Sequence, residues 1–315
     1  MAATSKALTR REVVVQGASL ALAAAFASIF SQSRAADLAV VDAAYAGSMS
    51  SMMEGPIKST AARYLRLDIR GRAQGSDALA NLIAAGSIRP DVFIPITPGP
   101  MLTVLRAGKS KIATPIARTE VVIVYSPKSR FAAQFAAASR GQEPWWNVLR
   151  RPGMRFGRTD PIADPQGRNI IFTMMLAARL YSVPNLVEKT LGPMVNQRQI
   201  FSEPTLLARL QAGQLDACSA YKIQPGPFEL PYIGLPKQVN LSSDRVRQEN
   251  PGLELTIAGK TYDPEPLIFY AAAMNDSRNP KGAAEFVEWL NGSEAQSIFR
   301  RYQYDPPDGA PALAA

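Results

Sequence analysis

The 315-residue chain is 47% hydrophobic, 8% aromatic and 19% charged, a balance that supports a globular core of one or two domains. It has no histidine and one cysteine, which excludes histidine-based triads, the HExxH metalloprotease site, histidine-ligated zinc or haem, and any intrachain disulfide or CxxC redox motif. The formal charge is +9, and 25 prolines and 21 glycines spread without repeats or low-complexity blocks indicate short elements joined by many turns.

The chain opens on an address. Arg10-Arg11 precedes an apolar, alanine-rich stretch from Val13 to Phe30 that contains no charge, and this resembles a twin-arginine export signal. Small residues at Ser33 and Ala35 place cleavage after Ala35, so residues 1–35 are expected to be a signal peptide and the mature protein to be periplasmic. A retained N-terminal anchor is the alternative reading of the same stretch. Without the leader, Lys6, Arg10, Arg11 and Arg34 are lost against Glu12, and the formal charge falls from +9 to +6. That modest excess, with no clustering of basic and aromatic residues, argues against a nucleic-acid partner.

Leu38–Ala46 reads as a buried strand that runs into Gly47-Ser48, followed by a helical segment to Leu65 interrupted at Gly55-Pro56. Leu65–Arg72 alternates apolar residues with Arg66, Asp68, Arg70 and Arg72, the pattern of a strand with a solvent face. Gly75-Ser76 opens an amphipathic helix from Asp77 to Ala85. Asp91–Ile96 is a third strand, and a short helix ends at Ala107. Glu120–Tyr125 is the next strand, and residues 129–221 repeat the alternation. Pro266–Met274 is again a strand, followed by helices at Pro280–Leu290 and Ser293–Tyr302. The alternation predicts an α/β fold with parallel, doubly wound sheets. Strands near 120 and 266 would cross between two lobes, one formed by residues 36–118 and 267–315, the other by 119–266.

Several motifs fail on inspection. Gly108-Lys109-Ser110 and Gly259-Lys260-Thr261 look like tails of phosphate-binding loops, but Thr103 and Glu254 stand where the motif needs its first glycine. Ser219-Ala220-Tyr221-Lys222 matches the SxxK pattern of serine hydrolases, without the accompanying SDN or KTG segments. Cys218 ends an apolar run with no base nearby and reads as inert filler. What recurs is a small or hydroxylated residue between a strand and a helix, at Gly47-Ser48, Gly75-Ser76, Pro165-Gln166-Gly167 and Ser202-Glu203-Pro204. Helix starts present unpaired N–H groups and partial positive charge, so several facing one crevice make an anion site without lysine, arginine or histidine. Taken singly, each serine is as readily explained as the cap of its own helix.

Nearly the whole mature chain resembles the molybdate/tungstate-binding proteins of ABC importers. The resemblance is carried by Ala46-Gly47-Ser48, Gly75-Ser76, Ala117 to Ile123, Trp146 with Leu149 and Pro152, Phe156-Gly157-Arg158-Thr159-Asp160-Pro161, and Asp164-Pro165-Gln166-Gly167-Arg168. Leu210 to Asp216, Tyr232 to Pro236, Asn240-Leu241 and Ala283 to Phe286 follow in family order. The resemblance implies a type II periplasmic-binding fold, two lobes closing on a tetrahedral dianion, delivery to a membrane permease, no cofactor, no catalysis and a monomer. By position it implies hydroxyl and backbone donors from Ser48 and Ser76, backbone N–H groups from Gln166 and Glu203, and the Tyr221 phenol.

One position departs from the family branch whose motif this chain most resembles. That branch carries, just before the tyrosine, an acidic residue that ligates the metal together with the aspartate of the DPxG motif; here the position is Ala220. Asp164 is therefore expected to turn away from the ligand, bonding to backbone or to Arg168, and the oxyanion to stay tetrahedral. The departure leaves sulfate, thiosulfate or another oxyanion open as ligand. A secreted hydrolase built on Ser219 and Lys222 remains the reading from a different class, and a ligand-sensing regulator would need a DNA-binding or membrane segment that the sequence does not display.

Overall fold

The computed structural model describes residues 38–315, of which Ala39–Ala315 fold as one unit; the expected leader at 1–35 lies outside the described residues. Twelve strands are described: β1 (Ala39–Ala46), β2 (Leu67–Gln74), β3 (Val92–Ile94), β4 (Ile112–Arg118), β5 (Val121–Tyr125), β6 (Phe156–Gly157), β7 (Ala217–Tyr221), β8 (Tyr232–Gly234), β9 (Leu255–Ile257), β10 (Lys260–Tyr262), β11 (Ile268–Ala273) and β12 (Leu313–Ala314). They form a six-stranded sheet in the order β12-β4-β11-β3-β1-β2, a four-stranded sheet in the order β6-β7-β5-β8, and the hairpin β9–β10.

Alternate residues of β1 serve different cores. Val41, Ala43 and Tyr45 join one buried cluster and Ala44 another, as the two faces of a pleated strand require when helices cover both. β2 is buried at Leu67 and Ile69 and exposed from Arg70 onward, which gives the charged alternation its place on a sheet edge. Met49 to Tyr64 is a near-continuous helical path in which Met53–Ile57 widens to a π turn. Pro56 lies inside that turn, where the wider spacing accommodates its missing N–H.

The sheets are mixed, which corrects the expectation of parallel ones. β1 runs parallel to β2 and β3, but β11 is antiparallel to both β3 and β4, and β5 is antiparallel to β7 and β8. The reason is the crossing of the chain between sheets. β4 leaves the larger sheet at Arg118 and enters the smaller one as β5 at Val121; the return passes through Leu267 into β11. The two passages are stitched by Thr119 N to Leu267 O at 3.0 Å and Leu267 N to Leu241 O at 3.0 Å. A returning strand beside a departing one is necessarily antiparallel.

Four helices frame the region between the sheets: α1 (Ser76–Ala84), α2 (Pro98–Arg106), α3 (Pro165–Leu180) and α4 (Glu203–Gln211). α1 and α2 follow β2 and β3 directly, and both pack into the cluster containing Leu79, Ile83, Met101 and Val104. α3 buries twelve of its sixteen residues, including Ile170, Ile171, Phe172 and Met174. Among the described residues no helix is long and apolar enough to cross a membrane.

Candidate functional site

Three of the turns singled out in the sequence, at Gly47-Ser48, Gly75 and Ser202-Glu203, line one cleft of about 660 Å³ between the sheets; the fourth reaches it only through Asp164, the residue before Pro165-Gln166-Gly167. Its walls include Gly47, Ser48, Gln74 and Gly75 from the side of the larger sheet, and Thr159, Asp164, Ser202 and Glu203 from the other. The walls approach closely. A methyl group on Gly47 would lie 2.6 Å from Glu203 Oε2, and one on Gly75 would lie 3.3 Å from the Ala163 carbonyl. Arg168 on α3 pairs with Asp77 on α1, joining the first turns of helices from opposite sides.

The expected residues stand as follows. Ser48 lines the cleft, and its hydroxyl has no hydrogen-bond partner among the described residues. Ser76 is 1% exposed and does not line the cleft; its hydroxyl is turned inward and accepts from Ile96 N at 3.3 Å. As the first residue of α1, Ser76 keeps its backbone N–H among the donors that no helical carbonyl satisfies. Gln166 is buried; its backbone N–H donates to Asp164 Oδ1 at 2.9 Å, and its side-chain amide donates to the Ser219 carbonyl at 2.9 Å. Asp164 is thus the N-cap of α3, and the donor expected of Gln166 is engaged by it.

Tyr221 is 2% exposed, beneath the cleft rather than on its wall. Its oxygen accepts from Asn169 Nδ2 at 3.0 Å. Burial, then the Asp164 charge, raise its pKa well above the phenol range. Arg168 is 6% exposed, donates to the Pro161 carbonyl at 3.1 Å, and stacks 4.2 Å from the Tyr262 ring centroid. Asp164 bonds to backbone, not to Arg168, whose charge nonetheless favours its ionised form. Arg168→Ala is expected to remove about 1–3 kcal/mol of stability through the lost charged hydrogen bonds, read as a lower urea midpoint with unchanged m-value.

Two residues that the sequence reading did not assign, Gln224 and Thr159, complete the wall together with the side chain of Glu203. The Glu203 side chain, not only its N–H, enters the cleft: Oε1 accepts from Gln224 Nε2 at 2.6 Å, while Oε2 faces Gly47. Gln224 is held in turn, because its carbonyl accepts from Tyr221 N at 2.6 Å. Thr159 is 2% exposed and lines the cleft, and its hydroxyl stands beside Asp164 without a well-formed hydrogen bond to any described group. Thr159 lies in the quoted Phe156 to Pro161 segment, so the signal for it was present; nothing at residue 224 distinguishes that glutamine from a surface one.

The electrostatics are unusual for an anion site. Among the described residues no lysine or arginine lines the cleft, and three carboxyl groups do, on Asp160, Asp164 and Glu203. Burial, opposed by the Gln166 amide and Arg168, raises Asp164 to about 6. Burial and then the Asp164 charge raise Glu203 to about 8, against the Gln224 hydrogen bond. Near neutrality the pair therefore carries fewer than two negative charges. Among the described residues no group of three or more histidine, cysteine, aspartate or glutamate side chains could hold a metal ion.

The SxxK segment is arranged for structure. Ser219 lies in β7, 1% exposed, and its hydroxyl has no partner among the described residues. Lys222 follows the strand and pairs with Asp305. Residues three apart on an extended segment project to opposite sides, whereas lysine activation needs both groups on one face. Cys218 is buried, and burial pushes its thiol up to about 12, far from thiolate reactivity.

Comparison with known proteins agrees with this geometry. The family described as bacterial extracellular solute-binding protein matches residues 41–305. A molybdate/tungstate-binding protein WtpA of Thermococcus kodakarensis is 28% identical over 210 residues, covering 60% of this chain and 58% of that protein. The chain spans about 60% of the length of the curated relatives it matches. Among solved structures, the Azotobacter vinelandii periplasmic molybdate-binding protein superposes with a TM-score of 0.56 at 14% identity, over 84% of this chain and 98% of its own. The sulfate-binding protein SubI of Mycobacterium tuberculosis gives 0.57 at 11% identity, over 86% and 88%. These likenesses concern the fold, which is the type II periplasmic-binding architecture. With the family match spanning most of the described residues, the chain belongs to the bacterial extracellular solute-binding proteins.

Proposed function

We propose that this protein is the extracytoplasmic receptor of an ABC importer and captures a tetrahedral oxyanion, molybdate or tungstate, for delivery to a membrane permease. The observation that carries the reading is that helix starts at Gly47, Gly75, Asp164 and Ser202 border one cleft with no lysine or arginine among its described lining residues. Helix starts supply fixed N–H donors that need no charge of their own. The similarity to the molybdate/tungstate-binding relative of Thermococcus kodakarensis supports the choice of ligand.

In this reading residues 36–118 and 267–315 form one lobe and residues 119–266 the other, closing about the paired passages at Thr119 and Leu267. The leader at 1–35 directs export by the twin-arginine route, and the protein acts as a periplasmic monomer with no nucleic-acid partner, no cofactor and no catalytic role. Ser48 donates its free hydroxyl, Ser76 its backbone N–H, Glu203 its backbone N–H and Tyr221 its phenol from below. Gln166 donates its backbone N–H once Asp164 yields it, and Arg168 holds the closed arrangement through Asp77. Charge-assisted bonds of this kind contribute about 1.5–3 kcal/mol each.

Another oxyanion, such as sulfate or thiosulfate, is the second reading, favoured by Ala220 standing where the molybdate/tungstate branch has a carboxylate. Calorimetry against molybdate, tungstate, sulfate, thiosulfate and phosphate separates the two. Molybdate and tungstate are expected to bind at micromolar or tighter affinity, about −8 kcal/mol or below. Sulfate binding more tightly than molybdate would overturn the assignment.

A further inference from the structure

We propose that Glu203 is the specificity-determining residue of the cleft: its carboxyl group, held in the protonated form, donates a hydrogen bond from Oε2 to the captured oxyanion. The inference rests on the oxyanion-receptor reading and names the class of anion that the cleft prefers.

The geometry assigns different tasks to the two oxygens. Oε1 is engaged by the Gln224 amide at 2.6 Å, and that amide is fixed by Tyr221 N at 2.6 Å. If the side chain swung away, the buried Gln224 amide would keep only its longer contact to Gln166 Oε1 at 3.4 Å. Oε2 faces Gly47 across the cleft and has no donor among the described residues. An ionised oxygen left in this position is half-buried and has no donor among the described residues to compensate it, which is costly. Carrying a proton, the same oxygen becomes a donor on the cleft wall that faces Gly47 and Ser48. The neighbouring Thr159 hydroxyl, 2% exposed and without a well-formed partner, is available to the same occupant.

The groups that face the pair reinforce this state. Around Glu203 stand Asp164 and Asp160 on the cleft wall, with Tyr221 and Tyr304 buried close by. Asp164 has Arg168 as its nearby cation, shared with Asp77. Among the described residues no lysine or arginine reaches Glu203 to hold it ionised. Bringing a dianion beside it strengthens the preference for the neutral carboxyl, since like charges at short range in a poorly solvated site repel strongly.

Two consequences follow from the proton balance. Where Glu203 is ionised in the free protein, capture of a dianion takes up one proton from solvent, which then lies between Oε2 and the anion. A carboxylic acid O–H bonds more strongly to a more basic oxygen, so the site favours oxyanions whose conjugate acids are weak, molybdate and tungstate, over sulfate.

Calorimetry with sodium molybdate and sodium sulfate, in buffers of differing ionisation heat from about pH 6 to pH 9, tests this directly on the wild-type protein. Above about pH 8, molybdate binding is expected to consume up to one proton and to weaken toward about tenfold per pH unit. Glu203→Gln, which keeps a neutral donor, is expected to bind without proton uptake, to lose that slope, and to show a molybdate-over-sulfate preference reduced about tenfold, a change of about 1.4 kcal/mol. Wild-type binding with no proton exchange and a flat pH profile would overturn the role of Glu203 while leaving the receptor reading intact. Failure of every oxyanion to bind at any pH would overturn both.

Discussion

Replacing Gly167 with alanine is expected to cost about 3 kcal/mol of stability, the upper end of the range for overpacked sites, and to weaken oxyanion binding at least tenfold. A methyl group there would lie 2.4 Å from the Thr159 carbonyl oxygen and 2.7 Å from both the Asp160 carbonyl carbon and Pro161 N. All three are main-chain atoms, so no rotamer change relieves the clash. The loop at 159–161 must move away from the first turn of α3, and that loop carries Thr159 and Asp160 on the cleft wall while the turn carries Asp164 and Gln166. Gly234→Ala is the control: nothing outside its chain neighbours lies within 4 Å of the added carbon, and the residue is exposed in β8 with no positive φ. It should be neutral or slightly stabilising, by up to about 1 kcal/mol. Urea unfolding gives the stabilities and calorimetry the affinities. A Gly167→Ala protein within 1 kcal/mol of wild type would show that the loop is pliable.

The glycine illustrates what the sequence made legible. Segments with strong local chemistry were the legible ones: Gly47, Gly75, Asp164 and Ser202 all border one cleft, Gly47 and Gly75 because each directly joins a strand of the larger sheet to the helical segment that follows. Strand β4 was passed over because Pro115 interrupts it. The structure tolerates the proline where the register with β11 shifts between Phe269 and Tyr270, the kind of irregularity at which a missing N–H costs least. The antiparallel course of β5 and β11 was hidden for a different reason. It depends on the passage of the chain between sheets, and periodicity reports only which faces are buried, not the direction of a neighbour.

Side-chain roles were legible only where a residue serves its own turn. Asp164 caps the helix it precedes, which its position beside Pro165-Gln166 announces. Glu203 also stands at a helix start, so its N–H was assigned and its carboxyl overlooked. What sends that carboxyl into the cleft is Gln224, twenty-one positions away, and Gly47 on the opposite wall. Ser76 shows the converse: a serine at a helix start was given a ligand-facing hydroxyl, and tertiary packing turned it toward Ile96 instead.

Asp91→Ala is expected to lower stability by about 3 kcal/mol, since it removes a buried charged acceptor from four part-buried donors at once. Asp91 is 2% exposed. Its Oδ2 accepts from Asp42 N at 2.8 Å, and its Oδ1 accepts from Ser277 Oγ at 2.6 Å, Arg278 N at 2.7 Å and Asn279 N at 3.2 Å. Burial by itself would raise this carboxyl, yet the hydrogen bonds from Ser277 and from the amides of Asp42, Asn279 and Arg278 hold it below the ordinary carboxylate range. The sign of the pH dependence follows. A depressed folded-state pKa means that the contribution is present above the unfolded value of about 3.9 and is lost as pH falls through the folded one. Wild type should therefore lose stability on the acid side more steeply than Asp91→Ala, whose unfolding free energy starts lower and changes less between about pH 5 and pH 2. Asp91→Asn separates charge from shape: its amide oxygen can keep some of the donors, but its NH₂ group meets N–H groups rather than acceptors, so it should recover less than half of the loss. The same fold thus holds an internal carboxylate with neutral donors alone, through a clamp joining β1, the start of β3 and the turn before the Pro280–Leu290 helix. In the receptor reading proposed above, the helix starts around the cleft would offer an external oxyanion the same chemistry.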